Sequence, residues 1–145
     1  MKRIKLSPSA LACDFANAGK QIEEARAGGA EYLHLDVMDG IFVPNISFGQ
    51  PVVKSLSKST DMVSDVHLMI TEPIRYIDDF VKSGADIITI HVEATDKVEE
   101  TLLKIKSSGK KAGLSIKPNT PVSAIIPYLH LCDLVLVMTV EPGFG

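Results

Sequence analysis

The sequence lacks several features that mark large classes of proteins. No apolar run approaches the roughly 18–20 residues that a transmembrane helix needs. With 15 Lys and Arg against 18 Asp and Glu, the net charge is -3. There is therefore no electrostatic reason to expect nucleic acid or a membrane surface as a partner. No linker, low-complexity tract or charge block interrupts the chain, so we expect residues 1–145 to form a single domain.

Cysteine is scarce, which bears on the compartment. Cys13 and Cys132 are far apart in sequence and each lies among apolar neighbours. This pattern favours two structural thiols in a cytoplasmic protein over a disulfide. The basic start of the chain is followed by a short apolar stretch that Ser7, Pro8 and Ser9 interrupt, so we expect no signal peptide.

Short apolar runs alternate with amphipathic stretches along the whole chain. Six runs are rich in Val, Ile and Leu and too short for helices, which is typical of strands in a parallel sheet covered on its faces. They are Lys5–Ala10, Tyr32–Val37, Met62–Leu68, Ile87–Val92, Ala112–Ile116 and Leu134–Met138. Their centres recur at intervals of roughly 23–31 residues, the length of a βα unit.

The stretches between the runs carry helix signals. Apolar residues follow the helical 3–4 spacing, and glycines follow three of the stretches, at 28–29, 84 and 109. Pro73 and Pro121 suit the first turn of a helix, and Thr120 suits the N-cap before the second one. The pattern predicts an α/β fold with about six βα units.

Six consecutive βα units are compatible with a doubly wound sheet or a closed barrel. The glycine-rich turn of a dinucleotide-binding fold does not follow the first strand. Polar residues recur at the carboxyl end of nearly every strand, where a (β/α)8 barrel builds its active site. The sequence therefore predicts a TIM (β/α)8 barrel, of which about six units are present.

Three polar residues at these strand ends form a candidate metal site. His34 and Asp36 are two residues apart in a strand and point to the same face. His67 ends the next strand, and neighbouring strands lie about 4.8 Å apart. Two imidazoles and a carboxylate suit one divalent ion, Zn, Fe, Mn or Co. The alternative is that the histidines are hydrogen-bonded core residues.

Sulfur and glycine also cluster at the strand ends. Met38, Met69 and Met138 each follow a strand, where they either fill gaps in the core or line a pocket. The turn at residues 143–145, Gly-Phe-Gly, lets backbone amides approach a ligand, although such a turn is often only a loop.

Five motifs together resemble those of the ribulose-phosphate 3-epimerase family. They are Ser7-Pro8-Ser9, His34-Leu35-Asp36-Val37-Met38-Asp39-Gly40, Phe42-Val43-Pro44-Asn45, Asp65-Val66-His67-Leu68-Met69 and Val137-Met138-Thr139-Val140-Glu141-Pro142-Gly143-Phe144-Gly145. The resemblance extends over the whole chain. It implies a TIM barrel that interconverts ribulose 5-phosphate and xylulose 5-phosphate with one divalent metal ion, as a dimer or hexamer.

The resemblance also implies roles for individual residues. It makes Asp36 a metal ligand and a catalytic acid/base, with His34 and His67 as the other ligands, and it places His91 near the pocket. The implied substrate contacts are Ser7, His67, Met38, Met69, Met138, Gly143, Phe144 and Gly145. The metal would stabilise an enediolate, while carboxylates move the proton at C3.

One departure from the family leaves alternatives open. The family has a second catalytic aspartate on strand seven, and its phosphate site lies mainly after strands seven and eight. This sequence stops at Gly145, after the sixth predicted strand, so we expect it to be part of a longer epimerase. The alternatives are a sibling epimerase acting on a ketose phosphate such as allulose 6-phosphate, or an incomplete barrel that only binds metal or a partner.

Overall fold

The computed structural model describes residues 3–144, which form a parallel five-stranded sheet with helices between its strands. The strands are β1 (Tyr32–Met38), β2 (Val63–Met69), β3 (Ile87–His91), β4 (Lys111–Ile116) and β5 (Leu134–Val137). Their spatial order is their sequence order, and each neighbouring pair is parallel. The helices are α1 (Ala18–Ala27), α2 (Gln50–Lys58), α3 (Ile77–Lys82) and α4 (Val98–Ser107).

Alternate residues of the strands serve the two faces of the sheet. One set is apolar and packs in a single core cluster with residues of the helices. Leu35 and Ile90, for example, are fully buried in this cluster together with Leu102 of α4. The other set is largely polar, and it includes His34, Asp36 and His67. Helices on one face and polar side chains on the other are consistent with part of a (β/α)8 barrel, as the sequence predicted.

The first predicted strand, Lys5–Ala10, is wrong as a full strand. The segment runs beside β1, where the carbonyls of Leu6 and Pro8 accept hydrogen bonds from the amides of Tyr32 (3.2 Å) and His34 (2.9 Å). Proline has no N–H to donate back, so the pairing is reduced to a single bridge between Ser9 and His34. The physical cause is therefore Pro8.

The helix predicted to start at Pro121 is also wrong. Residues Val122–Ala124 and Ile126–Leu131 form two short 3₁₀ segments instead. Pro127 has no N–H for an α-helical hydrogen bond, which interrupts a continuous helix. Thr120 does not cap this region, because its hydroxyl donates to Glu93 at 2.6 Å.

Other local predictions are confirmed. Pro73 opens a 3₁₀ turn before α3, and Gly84 has a φ of 99° directly after that helix. Cys13 and Cys132 are both free and half-buried. Within residues 3–144, no helix is long and apolar enough to cross a bilayer.

Candidate metal centre and adjoining cavity

Three side chains of β1 and β2 converge at the carboxyl ends of the strands. Asp36 lies directly opposite His67 in the parallel register, and His34 precedes Asp36 by two residues on the same face. Ligand-type atoms of His34, Asp36 and His67 all lie within 4.8 Å of one another. Asp36 Oδ1 is 3.2 Å from His34 Nε2 and 3.0 Å from His67 Nδ1. The residues proposed from the spacing are therefore together and could hold a metal ion.

The surroundings of His34 fit a metal ligand. Its Nδ1 is 2.8 Å from Asp65 Oδ2, and Asp65 is almost fully buried. A ligating histidine usually donates its second ring N–H to a carboxylate, which fixes the tautomer and leaves the other nitrogen for the metal. Asp65 provides this partner, so Nε2 of His34 is the nitrogen directed toward Asp36.

Charge in the centre follows from these contacts. Burial lowers the pKa of His34, but the hydrogen bonds that its ring donates to Asp36 and Asp65 outweigh this effect and raise the pKa to about 10. Without a bound cation His34 is therefore protonated on both nitrogens, and it must release the Nε2 proton to bind a metal. Burial raises the pKa of Asp36, yet its bonds to His34, His67 and Ser9 hold the pKa well below the ordinary range. Asp36 is therefore a carboxylate at neutral pH.

His67 is the most enclosed member of the group, with a side chain that is 1% exposed. Burial lowers its pKa, and the hydrogen bond that the ring makes to the Asp36 carboxylate does not offset this effect. A neutral imidazole is the form that binds a metal. His67 does not line the cavity of about 400 Å³ described next, and its burial gives no support to the predicted substrate contact.

A cavity of about 400 Å³ adjoins the metal centre. Asp36 reaches it from the sheet, and the predicted methionines all line it. Its lining consists of Ser9, Leu11, Ala12, Asp36, Met38, Met69, Met138, Gly143 and Phe144. The cavity therefore joins the candidate acid/base to the turn that the sequence singled out, except for Gly145, which lies outside the described residues.

Ser9, and not the predicted Ser7, faces this cavity. The hydroxyl of Ser9 donates to Asp36 Oδ2 at 2.5 Å. Ser7 lies two residues earlier in the same segment, and its hydroxyl donates to Asp65 Oδ2 at 3.2 Å. The two serines share one face of an extended segment, so the sequence pattern allowed either, and the structure places Ser9 in the position from which a substrate contact is possible.

The turn after β5 is joined to the loop after β1. The side-chain amide of Asn45 donates to the carbonyl of Gly143. Gly143 has a φ of 91°, and a Cβ there would lie 3.0 Å from the Cβ of Val43. Only glycine adopts that conformation without strain, so Gly143 lets the turn close over the cavity against Val43.

His91 completes a continuous series of contacts behind the metal centre. Its side chain is fully buried, its Nε2 is 2.8 Å from His67 Nε2, and its Nδ1 is 3.2 Å from Glu93 Oε2. Sequence reasoning left the role of His91 open and missed Glu93 and Asp65. A signal was present, because each carboxylate is two residues from a histidine in sequence.

Comparison of the whole chain with known sequences shows its family. The sequence profile of the ribulose-phosphate 3 epimerase family matches residues 5–145. The chain belongs to this family. Ribulose-phosphate 3-epimerase of Rhodobacter capsulatus is 48% identical over 144 residues, which cover 99% of this chain and 63% of the relative. The Bacillus subtilis enzyme is 50% identical over 142 residues, covering 98% and 65%. The chain thus spans less than two thirds of these relatives.

Solved structures support the fold alone. An enolase protein from environmental sequencing of the Sargasso Sea superposes with a TM-score of 0.61 at 14% identity, over 94% of this chain and 37% of that one. At this identity the similarity concerns the arrangement of strands and helices. It agrees with the TIM barrel of the family to which the chain belongs.

Proposed function

We propose that the protein is a ribulose-phosphate 3-epimerase, which interconverts D-ribulose 5-phosphate and D-xylulose 5-phosphate. One observation carries this proposal: Asp36 joins a His/Asp group suited to a divalent ion and also lines a cavity of about 400 Å³. A base beside a metal position and a small-molecule cavity is the arrangement that proton abstraction next to a ketone requires. The relatives from Rhodobacter capsulatus and Bacillus subtilis carry the same name.

Asp36 is the group that exchanges the proton at C3. It is ionised at neutral pH and can therefore accept a proton. Its low pKa makes it a weak base, so close approach of the substrate carbon in the cavity has to compensate. Ser9, on the other carboxylate oxygen, holds the Asp36 side chain in one orientation.

The cavity lining suits the uncharged part of a sugar phosphate intermediate. Three thioethers, those of Met38, Met69 and Met138, face the position next to Asp36. Their polarisable, apolar surface keeps water from the reacting carbon. The turn at Gly143 and Phe144 forms another wall, and we propose that it contacts the substrate.

A divalent ion held by His34, Asp36 and His67 would supply Lewis acidity that stabilises negative charge on the C2 and C3 oxygens of the substrate. Zn, Fe, Mn and Co all accept this ligand set. Inversion at C3 also needs a second acid on the opposite face of the substrate. The family resemblance attributes that role to an aspartate of strand seven, and residues 3–144 contain no counterpart of that strand.

Proton exchange at C3 separates this proposal from its alternatives. Ribulose 5-phosphate is incubated with the zinc-loaded protein in D2O, and deuterium at C3 is followed by NMR in both epimers. Protein that includes the strand-seven aspartate is expected to introduce deuterium into ribulose 5-phosphate and xylulose 5-phosphate, whereas residues 1–145 alone, with Asp36 as the acid/base group, are expected to label ribulose 5-phosphate only. Deuterium in ribulose 5-phosphate alone would indicate one acid/base group without inversion. Zinc binding with no exchange would leave only a metal-binding barrel and would refute the proposal.

The choice of ketose phosphate is tested in the same assay. Allulose 6-phosphate offered in place of ribulose 5-phosphate should exchange more slowly at C3, because we propose the pentose phosphate as substrate. Faster exchange with allulose 6-phosphate would favour the sibling epimerase. The cytoplasmic location is proposed on the two cysteines, which form no disulfide. The homo-oligomer, dimer or hexamer, is proposed on the family resemblance.

A further inference from the structure

His91 and His67 meet through their Nε2 atoms, and this contact restricts the protons of both rings. The two nitrogens are 2.8 Å apart, and the ring planes are 27° from parallel. A ring centroid separation of 5.0 Å shows that the imidazoles meet edge to edge. An N···N contact of this length is a hydrogen bond, so one nitrogen carries the proton and the other accepts it.

The other nitrogen of each ring faces a different acceptor. His67 Nδ1 points to Asp36, inside the metal centre, at 3.0 Å. His91 Nδ1 points to Glu93 Oε2 at 3.2 Å. If His67 binds a metal through Nδ1, its proton must be on Nε2 and must be donated to His91. His91 then accepts at Nε2 and carries its own proton on Nδ1, which donates to Glu93.

Glu93 is held so that it can act only as an acceptor toward His91. Its other oxygen, Oε1, accepts from the backbone amide of Lys117 at 2.7 Å and from the hydroxyl of Thr120 at 2.6 Å. Burial raises the pKa of Glu93, but hydrogen bonds from His91, Lys117 and Thr120 lower it to about 2. Glu93 is therefore a carboxylate with both oxygens occupied and no proton to offer.

We infer that Glu93 is a positioning residue that sets the tautomer of His67 through His91 and so prepares His67 Nδ1 to bind a divalent cation. The inference rests on the metal site of the proposed function, but not on turnover. His34 obtains its tautomer directly from Asp65. His67 obtains the equivalent control through a second imidazole, because Glu93 is reached only across His91.

The near-isosteric change Glu93→Gln tests this relay, by which we mean the hydrogen bonds that connect Glu93 through His91 to His67. The amide of Lys117 is a donor only, so the carboxamide oxygen of the introduced glutamine stays with it and the side-chain NH2 turns to His91. His91 Nδ1 must then accept and its Nε2 must donate, which places the proton of His67 on Nδ1. Metal binding through Nδ1 would require a donor–donor contact elsewhere in the relay. We expect zinc affinity to fall roughly 10- to 100-fold.

The experiment combines zinc affinity with proton positions. Zinc dissociation constants of the wild type and Glu93→Gln are measured by competition with a chromophoric chelator at one neutral pH. Nitrogen-15 NMR of the zinc-loaded wild type is expected to show protons on His67 Nε2 and His91 Nδ1, with N–N coupling between the two Nε2 atoms. An unprotonated His91 Nδ1, or wild-type affinity in Glu93→Gln, would overturn the inference.

Two further variants separate the relay from a general loss of structure. Asp86→Asn also replaces a carboxylate that accepts a backbone hydrogen bond, from the amide of Ser64, but at the opposite ends of the strands. We expect Asp86→Asn to bind zinc like the wild type. In a His91→Leu background, Glu93→Gln should cause no further loss, whereas an additive loss would contradict action through His91.

The zinc-binding and tautomer experiment can fail separately from the C3 exchange assay that tests the proposed function. A protein that binds zinc with these tautomers but exchanges no proton at C3 would refute the epimerase proposal and leave the relay intact. A wild type that binds no zinc would overturn the relay as well, because the inference requires His67 to be a ligand.

Discussion

Gly113 on β4 is expected to be irreplaceable because it faces Thr89 on β3. The two residues are paired in the parallel register, and Thr89 is fully buried. A Cβ at Gly113 would lie 2.1 Å from Thr89 Oγ1, 2.9 Å from its Cβ and 3.1 Å from its Cα. Rotation of the Thr89 side chain would move the hydroxyl but neither carbon. Gly113→Ala must therefore separate the two strands locally.

The magnitude follows from overpacking. Extra atoms in a packed interior cost about 1–3 kcal/mol, and the two fixed carbons place Gly113→Ala at the upper end, at about 3 kcal/mol. Thr89 Oγ1 is buried and makes no hydrogen bond within residues 3–144. Its removal in Thr89→Ala relieves a desolvation cost of about 1–3 kcal/mol and loses about 0.8 kcal/mol for the methyl group. Thr89→Ala alone should thus stay within about 1–2 kcal/mol of the wild type.

Urea denaturation followed by far-UV circular dichroism measures these differences for the wild type, both single variants and the double variant. The double variant should recover at least about 1 kcal/mol of the Gly113→Ala loss, because the shortest of the three contacts is gone. Gly19→Ala is the control, since no atom lies within 4 Å of its added Cβ. Alanine in helix α1 should be stabilising by roughly 0.5–1 kcal/mol. Wild-type stability of Gly113→Ala would refute the reasoning.

Three more results are expected. Asp65→Asn should weaken zinc binding roughly 10- to 100-fold in chelator competition, because His34 loses the carboxylate that accepts its Nδ1–H; unchanged affinity would contradict this role. The folded-state pKa of Glu93 is lowered from 4.5 to about 2, so its contribution to stability is present above pH 4.5 and is lost as the pH falls toward 2. Urea titrations in that range should show that the free energy of unfolding falls more steeply with decreasing pH in the wild type than in Glu93→Gln. Equal slopes would exclude this contribution of Glu93. Zinc should raise the melting temperature in proportion to the logarithm of its free concentration, and Asp36→Asn should show a smaller rise; an equal rise would remove Asp36 from the ligand set.

Periodicity explains how much of the fold was predictable. No end of β1 to β5 differs by more than one residue from the end of the corresponding predicted run. Apolar runs of that length between helical patterns have few other interpretations. The strand prediction for the segment before β1 was wrong for a reason that hydrophobicity does not encode. Pro8 keeps its carbonyl hydrogen bond to His34 but cannot return one, so an apolar run became a single bridge.

The grouping of His34, Asp36 and His67 as a candidate metal centre was predictable because its geometry follows from two regular spacings. His34 and Asp36 share a face at a separation of two residues, and His67 is placed by the distance between neighbouring strands. The sequence pattern does not distinguish the predicted Ser7 from Ser9, because both serines lie on the same face, and of the two it is Ser9 that lines the cavity. Their depth along the segment depends on the exact register with β1, which the sequence pattern does not specify.

The supporting carboxylates follow a repeated pattern that could have been read from the sequence. A histidine and an acid stand two residues apart on β1, as His34-x-Asp36, and on β2, as Asp65-x-His67. The same spacing recurs at the end of β3, where His91 is the last strand residue and Glu93 lies in the 3₁₀ turn that follows. Spacing alone does not determine the pairs that form.

Asp65 contacts His34 on the adjacent strand instead of His67, whereas Glu93 contacts the histidine of its own motif. The outcome is a continuous series of contacts in which Asp36 lies between His34 and His67. The two imidazoles of His67 and His91 are in direct contact, with no acid between them. A buried carboxylate without a partner is costly. The need to pair each acid therefore explains why each of the two candidate ligand histidines is connected to a supporting carboxylate. His34 contacts Asp65 directly, and His67 is connected to Glu93 through His91.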